Sequence, residues 1–268
     1  MKNISSWSIK NPIPIILLFT LLSGVLSALL AAIFLWLPQG RRDRAMPQMV
    51  SFATGTLLAT ALLALVPHAM SGAGPFKVHE VGVALLAGIA LFFLLEKFLL
   101  WRHCHTEAVE DAHTHEHHRR EASGWLTMVG DGVHNFIDGV LIAAAFLTDF
   151  HLGVVTALAI MAHEIPQEVG NFAVLLHAGF SRRKALLWNV LSSLTAVLGG
   201  LVGWWALGAA LQWVPYALAV AAASLLYVAV ADLIPSLHRR TDLRASAVQI
   251  VWIGIGIGLV MFAESQVH

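Results

Sequence analysis

The chain has 268 residues, 58% hydrophobic and only 12% charged, where an ordinary soluble domain carries about 25% charged residues. That composition excludes a soluble globular protein, and the balance of 16 Lys and Arg against 16 Asp and Glu excludes the basic excess expected of a nucleic-acid partner. A single cysteine, Cys104, excludes an intramolecular disulfide and any CxxC metal or redox site.

A helix crosses a hydrocarbon core of about 30 Å with roughly 20 mostly apolar residues. In chain order such stretches fall at 13–37, 47–66, 81–101, 125–148, 152–178, 184–207, 214–234 and 247–263. They predict an all-α polytopic membrane protein of eight transmembrane helices, forming one domain over 1–268 with the lipid bilayer as its surroundings. The first stretch is too long, and too weakly charged in front, for a cleavable signal peptide, so it reads as a permanent helix. Segments following the first, third, fifth and seventh stretches hold Arg41, Arg42, Arg44, Arg102, Arg119, Arg120, Arg182, Arg183, Lys184, Arg239, Arg240 and Arg244, whereas the opposite side holds Lys2, Lys10 and Lys77. Twelve against three places the basic side in the cytoplasm and both termini outside.

The one sizeable hydrophilic segment, 102–124, is then cytoplasmic. It interleaves His103, His105, His113, His115, His117 and His118 with Glu107, Glu110, Asp111, Glu116 and Glu121. Such a tract offers imidazoles to a borderline metal ion without a unique geometry, and is expected to be disordered. A plain polar linker is the alternative.

Ionisable groups inside membrane spans cost several kcal/mol unless they pair or face a wet cavity, so they mark function. The fourth stretch reads GDGVHNFIDGV, which sets Asp131, His134, Asn135 and Asp138 at i, i+3, i+4 and i+7 on one helical face. The fifth reads HEIPQEVGN, with His163 and Gln167 four apart and Glu164 and Glu168 at the same spacing. Imidazoles, carboxylates and amides without sulfur form the ligand set of a divalent first-row cation, Zn²⁺ above all, with Fe²⁺, Mn²⁺, Co²⁺ and Cd²⁺ conceivable. Cu(I) would want thiolates or thioethers. Pro166 removes a backbone donor in mid-span and predicts a helix break at the site. A structural hydrogen-bond network between helices is the competing account. The HExxH register of zinc proteases is not met, because its fifth position is Gln167.

HNFIDG in the fourth stretch, HEIPQEVGNF in the fifth, the histidine-rich loop before them, FFLLEKFL in the third and LVPHA closing the second together resemble the ZIP family of metal transporters. The spelling is similar to the subfamily whose fifth-span signature is HExPHE. The resemblance implies passage of divalent transition metals, Zn²⁺ preferred, toward the cytoplasm by alternating access, without nucleotide hydrolysis and with the metal as substrate rather than cofactor. It implies a homodimer whose spans two, four, five and seven surround the path. Carried over by residue, His134, Asp138, His163 and Gln167 would form the main metal site, with Asn135 and Glu164 adjoining it and Glu168 in a weaker position. Gln167 stands where the signature has His, and Thr60 and Ala64 stand where relatives carry Asp and His. The sixth span offers only Ser192, Ser193 and Thr195 where a binuclear centre would add a carboxylate. The expected protein is therefore a metal transporter and not an enzyme. Its expected location is a bacterial inner membrane, in the absence of any retention or lipidation signal. Two other classes stay open: a membrane metal sensor or store working through its loop, and an intramembrane hydrolase with Glu164 as base on Zn²⁺-bound water.

Overall fold

A computed structural model describes residues 11–74, 77–107, 116–239 and 242–266. Among these residues the chain is helical throughout, as lipid demands of a backbone that must satisfy its own hydrogen bonds. Eight helical rods follow in order: α1 (Ile13–Phe34), α2 (Gln39–Ala73), α3 (Val78–Glu107), α4 (Glu116–Thr148), α5 (Phe150–His177), α6 (Arg182–Gly208), α7 (Leu211–Leu237) and α8 (Leu243–Ser265). All but α4 and α5 are long and apolar enough to cross a membrane. Those two carry the polar stripe. The loop side chains of 102–124 that bear the proposed metal-collecting role lie outside the described residues.

Short connections are made possible by caps. Asp149 Oδ1 accepts from the His151 and Leu152 amides at 2.8 and 3.1 Å and starts α5 one residue after α4 ends. Gly179 adopts φ +91°, which lets the amides of Gly179 and Phe180 return to Leu176 and Leu175 and close α5. Ser181 and Asp242 cap α6 and α8 in the same way as Asp149.

Two expectations change. α2 begins at Gln39, so Arg41, Arg42 and Arg44 are helical rather than in a loop. Pro47 sits inside the helix, and the Ser51 hydroxyl donates to its carbonyl at 2.6 Å. Hydropathy marks where a helix enters oil, not where its backbone starts. Nor is α5 broken at Pro166: the helix runs on through it from Phe150 to His177. The irregular backbone lies elsewhere, in π-helical turns at Leu22–Leu26 of α1, Thr60–Leu65 of α2 and Val228–Leu233 of α7.

Small residues set the packing. A Cβ on Gly139 would lie 1.9 Å from the Ala196 carbonyl oxygen, and one on Gly199 would lie 1.9 Å from that of Phe136, so α4 and α6 cross backbone to backbone. Gly55 and Gly256 do the same for α2 and α8, at 2.2 Å from Ile253 O and 2.5 Å from Phe52 O. Tyr216 donates to Glu80 and Tyr227 to Glu96, tying α7 to α3. Toward the α4–α5 turn the core is dry: Leu57, Leu65, Ile142, Leu152, Ile160, Leu218 and Leu225 are buried in one cluster, with Ala143, Ala144 and Ala145 between them.

Candidate metal centre

His134 and Asp138 lie one turn apart on α4, and His163 and Glu164 are neighbours on α5. α4 packs against α5, and one ligand atom from each of the four residues falls within 4.8 Å of the other three. Nε2 of His134 is 3.3 Å from Nε2 of His163, 3.4 Å from Glu164 Oε1 and 3.7 Å from Asp138 Oδ2. Nε2 of His163 is 3.5 Å from both Asp138 Oδ2 and Glu164 Oε1.

These separations have a meaning in coordination geometry. Metal–ligand bonds of about 2.0 to 2.2 Å in a tetrahedron give edges of roughly 3.3 to 3.6 Å. The observed 3.3–3.7 Å therefore fits a tetrahedral Zn²⁺ or a similar ion at the centre. The donor chemistry agrees. Both carboxylate oxygens of Asp138 and both of Glu164 are buried without a hydrogen-bond donor, a costly state unless a cation completes it. Two carboxylates with two neutral imidazoles offer a formal charge of −2 to a divalent ion. His163 Nδ1 lies 3.3 Å from the Ala159 carbonyl; donation there puts the proton on Nδ1 and leaves the Nε2 lone pair facing the centre.

The other residues singled out by the sequence form a layer below. Asp131 Oδ1 accepts from Asn171 Nδ2 at 2.6 Å and from Gln167 Nε2 at 3.5 Å. Asn135 is buried and donates to the backbone carbonyl of Asp131 at 3.2 Å. Glu168 turns toward α6, where Ser193 Oγ donates to its Oε1 at 2.6 Å and Asn189 Nδ2 to its backbone carbonyl at 3.3 Å. The grouping thus differs from the one the resemblance implies: Glu164 stands with the two histidines and Asp138, while the Gln167 amide is engaged with Asp131. Asn171 escaped the sequence reading, although it continues the spacing 163, 167, 171 along one face of α5.

Asp138, His163 and Glu164 are fully enclosed, but the His134 side chain is 19% exposed. It borders a cavity of about 370 Å³ whose wall is mostly apolar, Phe92, Leu95, Val133 and Ile137 among it, and into which four helices bring polar groups: Glu96 of α3, Asp131 of α4, Gln167 and Asn171 of α5, and Tyr227 and Asp232 of α7. Along each helix these positions run from the centre toward the end that bears the arginines. The centre therefore faces a vestibule on its arginine side and a packed apolar core on the other. Neither Glu96 nor Asp232 could be assigned a shared cavity from sequence, because their juxtaposition depends on how α3 and α7 pack.

The ZIP Zinc transporter family model matches residues 101–264. Zinc transporter ZIP4 of Mus musculus is 34% identical over 260 residues, covering 74% of this chain and 39% of that protein. Zinc transporter ZIP13 of Pongo abelii is 31% identical over 230 residues, covering 78% and 64% respectively. Zinc transporter YKE4 of Saccharomyces cerevisiae is 28% identical over 257 residues, covering 84% and 74%. The matched part of the chain thus spans well under half of ZIP4 and just under two thirds of ZIP13.

Proposed function

The chain belongs to the ZIP zinc transporter family, and on that premise we propose that it carries divalent transition-metal cations, Zn²⁺ by preference, across a membrane toward the cytoplasm. One observation carries this reading: four donor atoms gathered within 4.8 Å of one another, three on buried side chains and the fourth, on His134, bordering a cavity that holds carboxylates and amides. In this reading all eight rods span the bilayer with both termini outside, the membrane is a bacterial inner membrane, and the protein works as a homodimer. The excess of arginine on one side supports the orientation.

The metal centre consists of His134, Asp138, His163 and Glu164. Gln167, through Asp131, forms the next layer on the way to the cytoplasm. Asn135 and Glu168 hold that layer against α4 and α6. Mixed oxygen and imidazole ligands suit cargo better than a thiolate cage would, since a transport site must release what it binds. As the ion leaves the centre, vestibule water replaces its ligands from the His134 side, and Asp131, Glu96 and Asp232 supply negative charge along the route. The apolar packing beyond Ile142 and Ile160 bars the opposite side in this conformation, so loading from outside requires the helices to rearrange.

Total cellular metal measured after brief exposure to mixed Zn²⁺, Fe²⁺, Mn²⁺, Co²⁺ and Cd²⁺ tests the proposal, in cells with the protein, with His163→Ala and with neither. Raised metal that His163→Ala abolishes supports an importer and names its ion, and deletion of 105–118 should leave substantial uptake. Unchanged metal with the intact, membrane-inserted protein overturns import and favours a sensor or store.

A further inference from the structure

A second feature lies between α2 and α8, neither of which contributes a residue to the metal centre. Near the middle of both helices Gly55 and Gly256 bring the backbones together, and Phe52 meets Trp252 edge to face with ring centroids 6.4 Å apart. Toward the arginine side the helices diverge and leave a cleft of about 460 Å³. Arg44, Pro47 and Gln48 form one wall, and Asp242, Arg244, Val248 and Gln249 form the other. Two of these groups are already engaged: Asp242 Oδ1 accepts from the Ala245 amide at 2.8 Å as the α8 cap, and Gln249 donates to the Leu237 carbonyl at 3.1 Å. Neither Arg44 nor Arg244 forms an ion pair among the described residues.

We infer that this cleft binds the phosphate headgroup of an anionic phospholipid in the cytoplasmic leaflet. Depth is the first argument. Arg44 is 11 residues from Gly55 and Arg244 is 12 from Gly256, which at 1.5 Å per residue puts the Cα atoms of both arginines roughly 16 to 18 Å along the helices from the crossing. Half of a 30 Å hydrocarbon core is about 15 Å. With the crossing near the bilayer midplane, the two arginines sit at the level of lipid phosphates. The outer surface is the second argument. Val248, Val251, Ile255 and Leu259 run down α8 from the cleft, all exposed at 37–59%, and supply an apolar track for acyl chains that a soluble phosphate would not need. Charge is the third, because the arginine-rich side is the one expected to meet anionic lipids. The glycine crossing makes the cleft stiff, since α2 and α8 cannot slide together to close it.

The test uses the full chain, purified in mild detergent from mixed phosphatidylglycerol and phosphatidylcholine, with bound lipid counted by native mass spectrometry. Phosphatidylglycerol should be retained over phosphatidylcholine. Each arginine near the surface contributes about a fivefold preference, so Arg44→Gln with Arg244→Gln should cut retention about twenty-five-fold. Removing the same charge elsewhere, with Arg182→Gln and Arg183→Gln, should leave it unchanged. Millimolar glycerol phosphate or inorganic phosphate should not displace the lipid. Retention unaffected by the Arg44/Arg244 pair, or abolished equally by the Arg182/Arg183 pair, overturns the site; displacement by free phosphate overturns the lipid as its occupant. Metal uptake is not the readout, so failure here leaves the transport proposal standing.

Discussion

Replacing Asp138 by Asn separates a metal ligand from a structural polar residue, because the two roles give effects of opposite sign. Asp138 is buried and neither carboxylate oxygen receives a hydrogen bond; its near neighbours are the Nε2 atoms of His163 and His134 at 3.5 and 3.7 Å. Without metal, an enclosed carboxylate of this kind is a burden that the neutral amide relieves. The metal-free variant should therefore be at least as stable as the parent. With metal the order reverses. Zn²⁺ at 100 times its dissociation constant stabilises a single-site protein by about 2.7 kcal/mol. Loss of one ligand and its charge should weaken binding by at least the ~100-fold seen for supporting residues. At the same Zn²⁺ concentration the variant then retains only about 0.4 kcal/mol. At about 2 to 4 °C per kcal/mol, the parent gains about 5 to 11 °C and the variant about 1 to 2 °C.

Thermal unfolding in detergent, with and without Zn²⁺, reads both effects from one preparation. An Asp138→Asn protein that gains as much from Zn²⁺ as the parent would refute the assignment of this carboxylate to the metal. So would a metal-free variant destabilised by more than about 2 kcal/mol, since that would mean the carboxylate is satisfied by the protein itself.

Other predictions test the scaffold and the cavity. Gly139→Ala places a methyl 1.9 Å from the Ala196 carbonyl, forcing α4 and α6 apart at a cost of about 1 to 3 kcal/mol or more. Gly254→Ala on α8 meets nothing within 4 Å and should leave the melting temperature unchanged; equal effects of the two would discredit the crossing. Ser193→Ala removes the hydroxyl that donates to buried Glu168 and should cost about 1 to 3 kcal/mol. Adding Glu168→Gln should recover part of that loss, and strict additivity in a double-mutant cycle would deny the contact. In a Cys104→Ser background, Asn171→Cys should react with a polar thiol reagent applied to inside-out vesicles while Ala144→Cys resists it. The reverse pattern would mean that the vestibule opens on the other side.

Much of this was legible because oil makes polarity conspicuous. His134, Asp138, His163 and Glu164 stand out as ionisable groups in apolar helices, and their motifs are local in sequence. Their partition was not legible. Successive residues on a helix are about 100° apart, so a helical wheel sends Glu164 away from His163 and pairs His163 with Gln167. The structure instead lays α4 across the seam, where both neighbours on α5 can reach it. Height along the axis separates the rest. Asp131 is seven residues from Asp138, and Gln167 and Asn171 are four and eight from His163, so at 1.5 Å per residue they lie about 6 to 12 Å nearer the arginine side. One stripe becomes two layers once the helices run antiparallel. The α2–α8 cleft was hidden for another reason: with Arg44 read as a loop residue, there was no wall for it to occupy.

The same asymmetry constrains what must move if metal enters from outside. On each cavity-lining helix the groups that face the cavity lie in the arginine-side half. On α4 the change to apolar residues falls between Asp138 and Leu141. A rotation of α4 alone would carry His134 and Asp138 away from His163, and its backbone contacts with α6 at Gly139 and Gly199 leave no slack for sliding. The α2–α8 glycine crossing and the Tyr216–Glu80 and Tyr227–Glu96 bonds fix their own pairs in the same manner. What remains able to shift is the seam where Leu57 and Leu65 of α2 and Leu218 and Leu225 of α7 meet Ile142 of α4 and Ile160 of α5. Its side chains are mostly alanine and branched aliphatics, the hydroxyls of Thr60, Thr156 and Ser224 on the same helices are buried without a hydrogen-bond partner, and no hydrogen bond joins these residues across helices among the described residues. Nonpolar packing has no registered partners to break, so the dry half of the molecule is the part best suited to open.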